Sequence, residues 1–416
     1  MITRTLTIFR ELLTSLDVHN KEDVTVIYES VLACCNDKDN YATQSSVTME
    51  LLEKGFLTAT QLKRWLDFSK EVYASYLAVA LYSDQSLAMV EEPEMLEEFF
   101  RSPELSAQLK SLGLYSYGLA LSISNPKKSY DLTVEAFDIY PELGQLLNIN
   151  YSYSEYKKNE VITEECPICK SGEVTPYYCS QQLLKLNNNN NFPPAKLWMR
   201  CGKCENYYTY DFPIMKVGDI NGHYTRNNKA AELENRFPLE VYNSIFNQLS
   251  SLTDGKEYLE IGVGNGEMLA VAQEFGYNVD AVEICKEDCE KISAALNVDI
   301  KWCDVANYMT DKKYDVIIMG DVFEHVTAPV EVLKKVCDML TDDGVLWLST
   351  PNYNCAYARM QRFKHCMWHE LNHYTYVSKE TIEKLLESMG MKIISYDISK
   401  RYIGSMELCI KRNRNN

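Results

Sequence analysis

The chain has 416 residues, and its 59 acidic residues outnumber 42 Lys and Arg for a formal net charge of −17. That length calls for two or three domains, and the charge argues against nonspecific binding to nucleic acid or to an anionic membrane surface. No apolar run is long enough to span a bilayer and no signal peptide is evident, so a cytoplasmic protein with no membrane partner is expected.

Residues 1–155 are expected to form an α-helical accessory domain. Apolar residues recur at helical spacing over 8–16, 24–34, 47–55, 59–82, 95–100 and 104–112. Thr58 and Pro103 read as helix-start signals. Residues 1–150 hold 12 Lys and Arg against 22 Asp and Glu, a net of −10. A solvated helical domain accounts for this pattern, and so does a region that captures substrate or contacts another subunit. Tyrosines are frequent from Tyr115 to Tyr156, either lining a contact surface or packing.

Ten of the fourteen cysteines are scattered, several of them in apolar segments, which suits reduced thiols. The other four form two C-x-x-C knuckles, Cys166-Pro-Ile-Cys169 and Cys201-Gly-Lys-Cys204. Each knuckle turns two thiolates toward one point, and four thiolates close a tetrahedral zinc site with no open position, hence a structural one. A redox pair is the alternative for a single C-x-x-C, but two copies in a short segment favour metal. The 31 intervening residues, 170–200, exceed the spacing of about 15–20 usual for such ligand pairs. The polar run 187–191 accounts for part of the excess as an inserted loop. Cys179 reads as a bystander. Residues 156–217 are therefore expected to be a zinc-ribbon-like module.

The stretch 258–283 carries the densest signal. An apolar run leads into Glu260-Ile-Gly262-Val-Gly264-Asn-Gly266, then a helical stretch, then a second apolar run that ends on Glu283. The glycines allow a sharp turn and close approach of a ligand. Glu283 falls where the second strand of a βαβ unit ends and could accept hydrogen bonds from two ribose hydroxyls. That points to an adenosine-containing cofactor. A dinucleotide prefers G-x-G-x-x-G, because its pyrophosphate sits on a helix N-terminus. The G-x-G-x-G here, with Glu260 beside it, better suits S-adenosylmethionine (SAM), which has an amino group and a sulfonium in place of phosphates. NAD(P) and an empty structural turn are the alternatives.

Further strands are expected near 298–302, 314–319 and 344–349, with a helix over 329–340. Asp304 then closes the third strand, where it could accept from an adenine amino group or simply cap a helix. Asp321-Val-Phe-Glu324-His325-Val follows the fourth strand, and Thr350-Pro351-Asn352 closes the fifth. Such alternation argues for a parallel sheet with helices on both faces and a ligand site at the strand carboxyl ends. A helix over 381–389 and strands over 392–396 and 406–410 complete the chain.

These motifs, together with His369-Glu-Leu-Asn-His373-Tyr-Thr-Tyr-Val-Ser378, resemble the class I SAM-dependent methyltransferases. The resemblance is to the broad subgroup that includes the ubiquinone-biosynthesis O-methyltransferases and the sugar or natural-product methyltransferases. The resemblance implies a Rossmann-like methyltransferase domain over 218–416, a mostly parallel seven-stranded sheet ending in an antiparallel pair. It also implies that Glu324-His325 lies near the reaction centre. Asp321 and Glu324 either orient neighbouring groups or contact the amino-acid end of the cofactor. Some sugar methyltransferases of this superfamily place a small zinc module before the catalytic core, as is read here.

His325 is the leading candidate for a general base, since imidazole titrates near working pH; otherwise it only shapes the pocket. His369 and His373 are further candidates for acceptor binding or a second base. Their H-E-x-x-H spacing matches a metalloprotease pattern, but that chemistry needs both histidines on one helix face, and this segment precedes the helix that starts at Ser378. The basic insert 353–366 is expected to overhang the pocket. No N/D-P-P-Y motif follows the fourth strand. The acceptor atom is therefore expected to be oxygen or carbon, less so nitrogen, of a small molecule, sugar or natural product. A peptide acceptor held by the helical region, a non-catalytic SAM-binding scaffold and a homo-oligomeric assembly stay open.

Overall fold

The computed structural model describes residues 74, 78, 81, 82, 87, 93–147, 149–153, 160–186, 192–213 and 237–413. The helices expected over 8–55, most of that over 59–82, and the polar run 187–191 lie outside the described residues. The chain divides into two compact units near Ser154.

In the first unit the described segments form helices α1 (Leu96–Phe100), α2 (Ala107–Ala120), α3 (Pro126–Ile139) and α4 (Leu143–Leu146). Ser106, not Pro103, caps α2, its hydroxyl accepting from the Leu109 N–H at 3.3 Å. The helix is buried nearly all round from Leu109 to Leu119, so no polar stripe marks its second half in the sequence. A Cβ on Gly113 would overlap the Phe100 ring at 2.1 Å, so α1 and α2 approach closely only because that position is glycine. Asn125 and Pro126 start α3 as cap and first-turn residue. The tyrosine-rich stretch packs inward. Tyr115, Tyr117, Tyr130, Tyr151 and Tyr153 are buried, and the Phe137 ring meets those of Tyr115, Tyr151 and Tyr153 at 6.2, 5.5 and 5.8 Å.

The second unit contains three sheets. Strands β1 (Glu160–Ile162) and β5 (Asp211–Pro213) make an antiparallel pair. Between them in the chain, β2 (Val174–Gln181), β3 (Ala195–Cys201) and β4 (Tyr207–Thr209) form an antiparallel meander. After α5 (Leu239–Leu252) come β6 (Glu257–Ile261), α6 (Glu267–Glu274), β7 (Asn278–Glu283), α7 (Lys286–Leu296), β8 (Ile300–Trp302), β9 (Tyr314–Gly320), α8 (Pro329–Asp338) and β10 (Leu340–Pro351). The chain then runs through α9 (Ala356–Gln361), β11 (Thr375–Tyr376), α10 (Lys379–Ser388), β12 (Met391–Ile398) and β13 (Ser405–Arg412). Strand β11 leaves this later part of the chain to join the meander, giving the order β11-β4-β3-β2.

The large sheet has seven strands in the order β12-β13-β10-β9-β6-β7-β8, with β13 alone antiparallel to its neighbours. The strand order reverses between β6 and β9, which opens a crevice beyond their carboxyl ends. Helix α5 buries Tyr242, Ile245, Phe246 and Leu249 in the same core as Tyr258, Val316, Ile318 and Trp347 of the sheet. A second aromatic cluster, Tyr178, Trp198, Tyr207, Trp368 and Tyr376, sits within the meander and against the 353–369 segment. Ring packing of this kind is worth about 0.5–1.5 kcal/mol per pair beyond area burial.

Candidate active site

The turn after β6 is built for close approach. Gly262, Gly264 and Gly266 all take positive φ, at 77°, 57° and 80°, and a Cβ on Gly262 would lie 2.5 Å from Val322 Cγ2. Glu283 fastens this turn to the end of β7. Its Oε2 accepts from the Val263 N–H at 3.0 Å, and its Oε1 accepts from Ile284 and Cys285 at 2.7 and 2.8 Å. Burial pushes this carboxyl above its ordinary range, and the backbone donors oppose the push.

Beyond the turn lies a cavity of about 540 Å³, walled by the loops that follow β6, β7, β8 and β9. Its charged lining is lopsided: Glu260, Glu267, Glu283, Asp288, Asp304 and Asp321 face one guanidinium, Arg401. Glu260 is 3% exposed, and burial raises its carboxyl to about 8. Its Oε2 accepts the Tyr258 hydroxyl at 2.8 Å. Asp304 lines the cavity and also caps the turn Val305–Asn307, accepting from the Ala306 N–H at 2.8 Å. Asp321, at φ 55°, accepts the Ser349 hydroxyl at 2.9 Å and an Arg401 N–H at 2.7 Å. Arg401 also lies over the Trp347 ring, 5.0 Å from its centroid. Sequence reasoning missed Arg401, because it sits in the β12–β13 hairpin, 80 positions from Asp321, in no motif.

His325 lies on the cavity wall. Its Nδ1 is 2.8 Å from the Asn372 carbonyl oxygen, an acceptor, so Nδ1 carries the proton and Nε2 the lone pair. The His373 ring stands edge-on to it at 4.5 Å. His373 donates from Nδ1 to the Tyr376 hydroxyl at 2.7 Å, and that hydroxyl donates on to the Met367 carbonyl. Burial, with His325 beside it, holds His373 well below the ordinary imidazole range, hence neutral. Glu324 is 1% exposed and accepts from the Thr350 hydroxyl at 3.0 Å, and burial pushes its carboxyl well above the usual range. Glu324, His325 and His373 bring a carboxylate oxygen and two ring nitrogens within 4.8 Å of one another.

His369 goes elsewhere. Its Nε2 donates to the Phe363 carbonyl at 2.9 Å and its Nδ1 accepts the Ser180 hydroxyl at 2.8 Å, so both nitrogens are engaged. His369 closes a 3₁₀ turn, Cys366–His369, and His373 follows in a loop, so no single helix face presents the two rings. Neither lines the cavity. The insert 353–366 also differs from expectation. Phe363 stacks on Tyr178 at 4.5 Å and Tyr353 meets Tyr207 at 4.5 Å, so these two rings pack against the meander, while Tyr357, Arg359, Arg362 and Lys364 stay exposed. The wall it was expected to supply comes from Val161, Phe212, Pro213 and Tyr374.

The four knuckle cysteines converge, with Sγ–Sγ distances of 3.5 Å for Cys166–Cys204 and for Cys169–Cys201. The two knuckles repeat one local design. Lys170 N–H bonds Cys166 O at 2.9 Å and Cys166 N–H bonds Ser171 O at 3.0 Å, while Glu205 to Cys201 and Cys201 to Asn206 do the same at 3.1 and 2.9 Å. Lys170 and Glu205 take the same left-handed backbone, φ 54° and 60°. The spacing matches a tetrahedral thiolate site, in which Zn–S bonds of about 2.3 Å set sulfurs a little under 4 Å apart. Cys179 is buried in β2, apart from this group.

Strand order, glycine turn and acid-lined crevice together make a Rossmann-like domain with a ligand site at the carboxyl ends of its strands. Residues 233–396 match a family model described as a methyltransferase domain. Similar curated proteins include the (S)-tetrahydroprotoberberine N-methyltransferase of Eschscholzia californica, 25% identical over 118 residues, 26% of this chain and 33% of that protein. Another is the ubiquinone biosynthesis O-methyltransferase of Actinobacillus pleuropneumoniae serotype 7, 26% identical over 109 residues, 24% of this chain and 47% of that protein. The chain thus spans between a third and a half of the length of these relatives. Among solved structures, the magnesium protoporphyrin IX methyltransferase of Synechocystis PCC 6803, with bound SAH, is 14% identical, covering 47% of this chain and 100% of that one at a TM-score of 0.38.

Proposed function

We propose that this chain transfers the methyl group of SAM to an oxygen or carbon of a small-molecule or sugar acceptor, with His325 as general base. The observation that carries the reading is the cavity under the glycine turn, with its six carboxylates, one guanidinium and an imidazole on its wall. That lining suits a ligand with an ammonium and a sulfonium and disfavours a pyrophosphate. When bound, the cofactor supplies a methyl group already activated by its positive sulfur. Glu260 would hold the ammonium, Glu283 the ribose hydroxyls and Asp304 the adenine amino group. The walls exclude water and align the acceptor, and alignment alone can lower a barrier by about 7–11 kcal/mol. His325 Nε2 takes the acceptor hydroxyl proton while Asn372 O steadies the imidazolium through Nδ1–H.

An amine acceptor is the second reading. The carboxylate excess favours a cationic substrate, and one of the relatives above is named as an N-methyltransferase. Cys166, Cys169, Cys201 and Cys204 are read as holding a structural zinc ion, all four positions being sulfur. By this reading 1–155 is an accessory domain, 156–217 the zinc module and 218–416 the catalytic domain. The test is calorimetric titration of the purified chain with SAM, S-adenosylhomocysteine (SAH) and NADH. SAM and SAH should bind and NADH should not; binding of NADH without SAM overturns the reading.

A further inference from the structure

Lys196 lies on β3 of the meander and is 1% exposed. Its Nζ donates to three carbonyls, those of Glu370, Leu371 and His373, at 2.5, 2.8 and 2.9 Å. The one remaining carbonyl of that four-residue loop, Asn372 O, accepts from His325 Nδ1 at 2.8 Å. Consecutive carbonyls are thus shared between an ammonium on one side and the candidate base on the other. A buried ammonium is costly, and an apolar side chain of similar volume would fill the same space more cheaply. Three acceptors with no donor to offer in return call for the full –NH₃⁺ fork. The rings of Trp198 and Tyr374 lie 5.3 and 5.7 Å from the ammonium.

We propose that Lys196 is a positioning residue, which gathers the carbonyls of residues 370, 371 and 373 and so turns Asn372 O onto His325. It ties the cysteine-bearing sheet to the imidazole without entering the cavity. The proposal rests on the reading of His325 as base. The hydrogen bond made by Nδ1 sets which nitrogen stays basic. Without Lys196 the loop loses its anchor, Asn372 O turns away, and His325 is no longer held with its lone pair on Nε2.

The experiment is side-chain ¹⁵N–¹H NMR of the full chain labelled at histidine, the His325 signals being assigned with His325→Gln. In the parent protein His325 should be the Nδ1–H tautomer. In Lys196→Met it should become a mixture with Nε2–H, while SAM affinity by calorimetry stays within about twofold, since Lys196 contacts none of Glu260, Glu283 and Asp304 and meets the cavity wall only at the Tyr374 ring. Turnover should fall about tenfold to a hundredfold, part of the 10²–10⁴ that a positioned base supplies. An unchanged His325 tautomer in a variant that still binds SAM overturns the proposal. Should Lys196→Met not fold, Lys196→Arg keeps the charge but cannot converge three donors from one nitrogen. The same tautomer change is expected there, and its absence is equally fatal. Full turnover by His325→Gln overturns the base assignment alone, because the tautomer readout is independent of it.

Discussion

Burial holds the Glu260 carboxyl at about 8, so in the ligand-free protein at pH 7 it is mostly protonated. The folded value lies above the unfolded one, so the folded chain keeps an extra proton between about 4.5 and about 8, and this group destabilises the fold increasingly as pH rises across that window. A cofactor ammonium needs the ionised form. SAM affinity should therefore tighten as pH rises from 6 toward 8, until the ammonium, an α-amino group with a pKa of about 7.7–8.0, begins to lose its own proton. Titrations at pH 7 in two buffers of different ionisation enthalpy should show a proton released on binding. Glu260→Gln should weaken SAM about tenfold and abolish that release. No release from the parent protein removes Glu260 from the ammonium's place. Glu283→Ala should cost more, because the side chain fastens the glycine turn through Val263 and is proposed to hold the ribose as well. A loss of about 1.5–3 kcal/mol in SAM binding is expected, read by the same calorimetry. His325→Gln should leave SAM affinity near that of the parent and lower turnover by about 10²–10⁴. Parent-like rates on a working acceptor would falsify the base role.

The cysteine knuckles affect more than their own turns. Thr381, at the start of α10, donates its hydroxyl to Cys204 O at 3.0 Å, and Asn206 donates to the Thr375 hydroxyl of β11 at 3.1 Å. Metal loss should therefore loosen the meander and the start of α10 together. The chain should carry about one zinc, and Cys201→Ser or a strong chelator should remove it and lower the thermal midpoint by several degrees. Metal analysis near zero with an unchanged midpoint rules the site out. Elements with local signals were legible in the sequence: the glycine turn, the strands of 257–351, the Ser378 start of α10 and the paired knuckles. What escaped was non-local. Lys196 reads as one of two basic residues in an otherwise apolar strand, and only carbonyls more than 170 positions later explain its burial. Aromatic packing drew the insert 353–366 onto the meander and away from the cavity. The second half of α2 and all of α3 were missed because one lacks a polar face and the other starts only on the Asn125–Pro126 pair.

For the whole molecule, the net charge of −17 and the excess of acidic residues lining the cavity act in the same direction. The methyl donor carries a sulfonium that the demethylated product lacks, so the field of the protein attracts the donor more than the product. Salt screens the distant charges and leaves the buried contacts largely intact, since the Debye length falls from about 10 Å at 0.1 M to about 3 Å at 1 M. Raising salt from about 0.05 to 0.5 M should thus weaken SAM binding by a few-fold and SAH binding by less than about twofold. Parallel titrations of SAM and SAH across that range measure the ratio directly. A ratio independent of salt means that the discrimination between donor and product comes from contacts at the sulfur alone. The acidic surface would then act on solubility and partner choice and have no part in turnover.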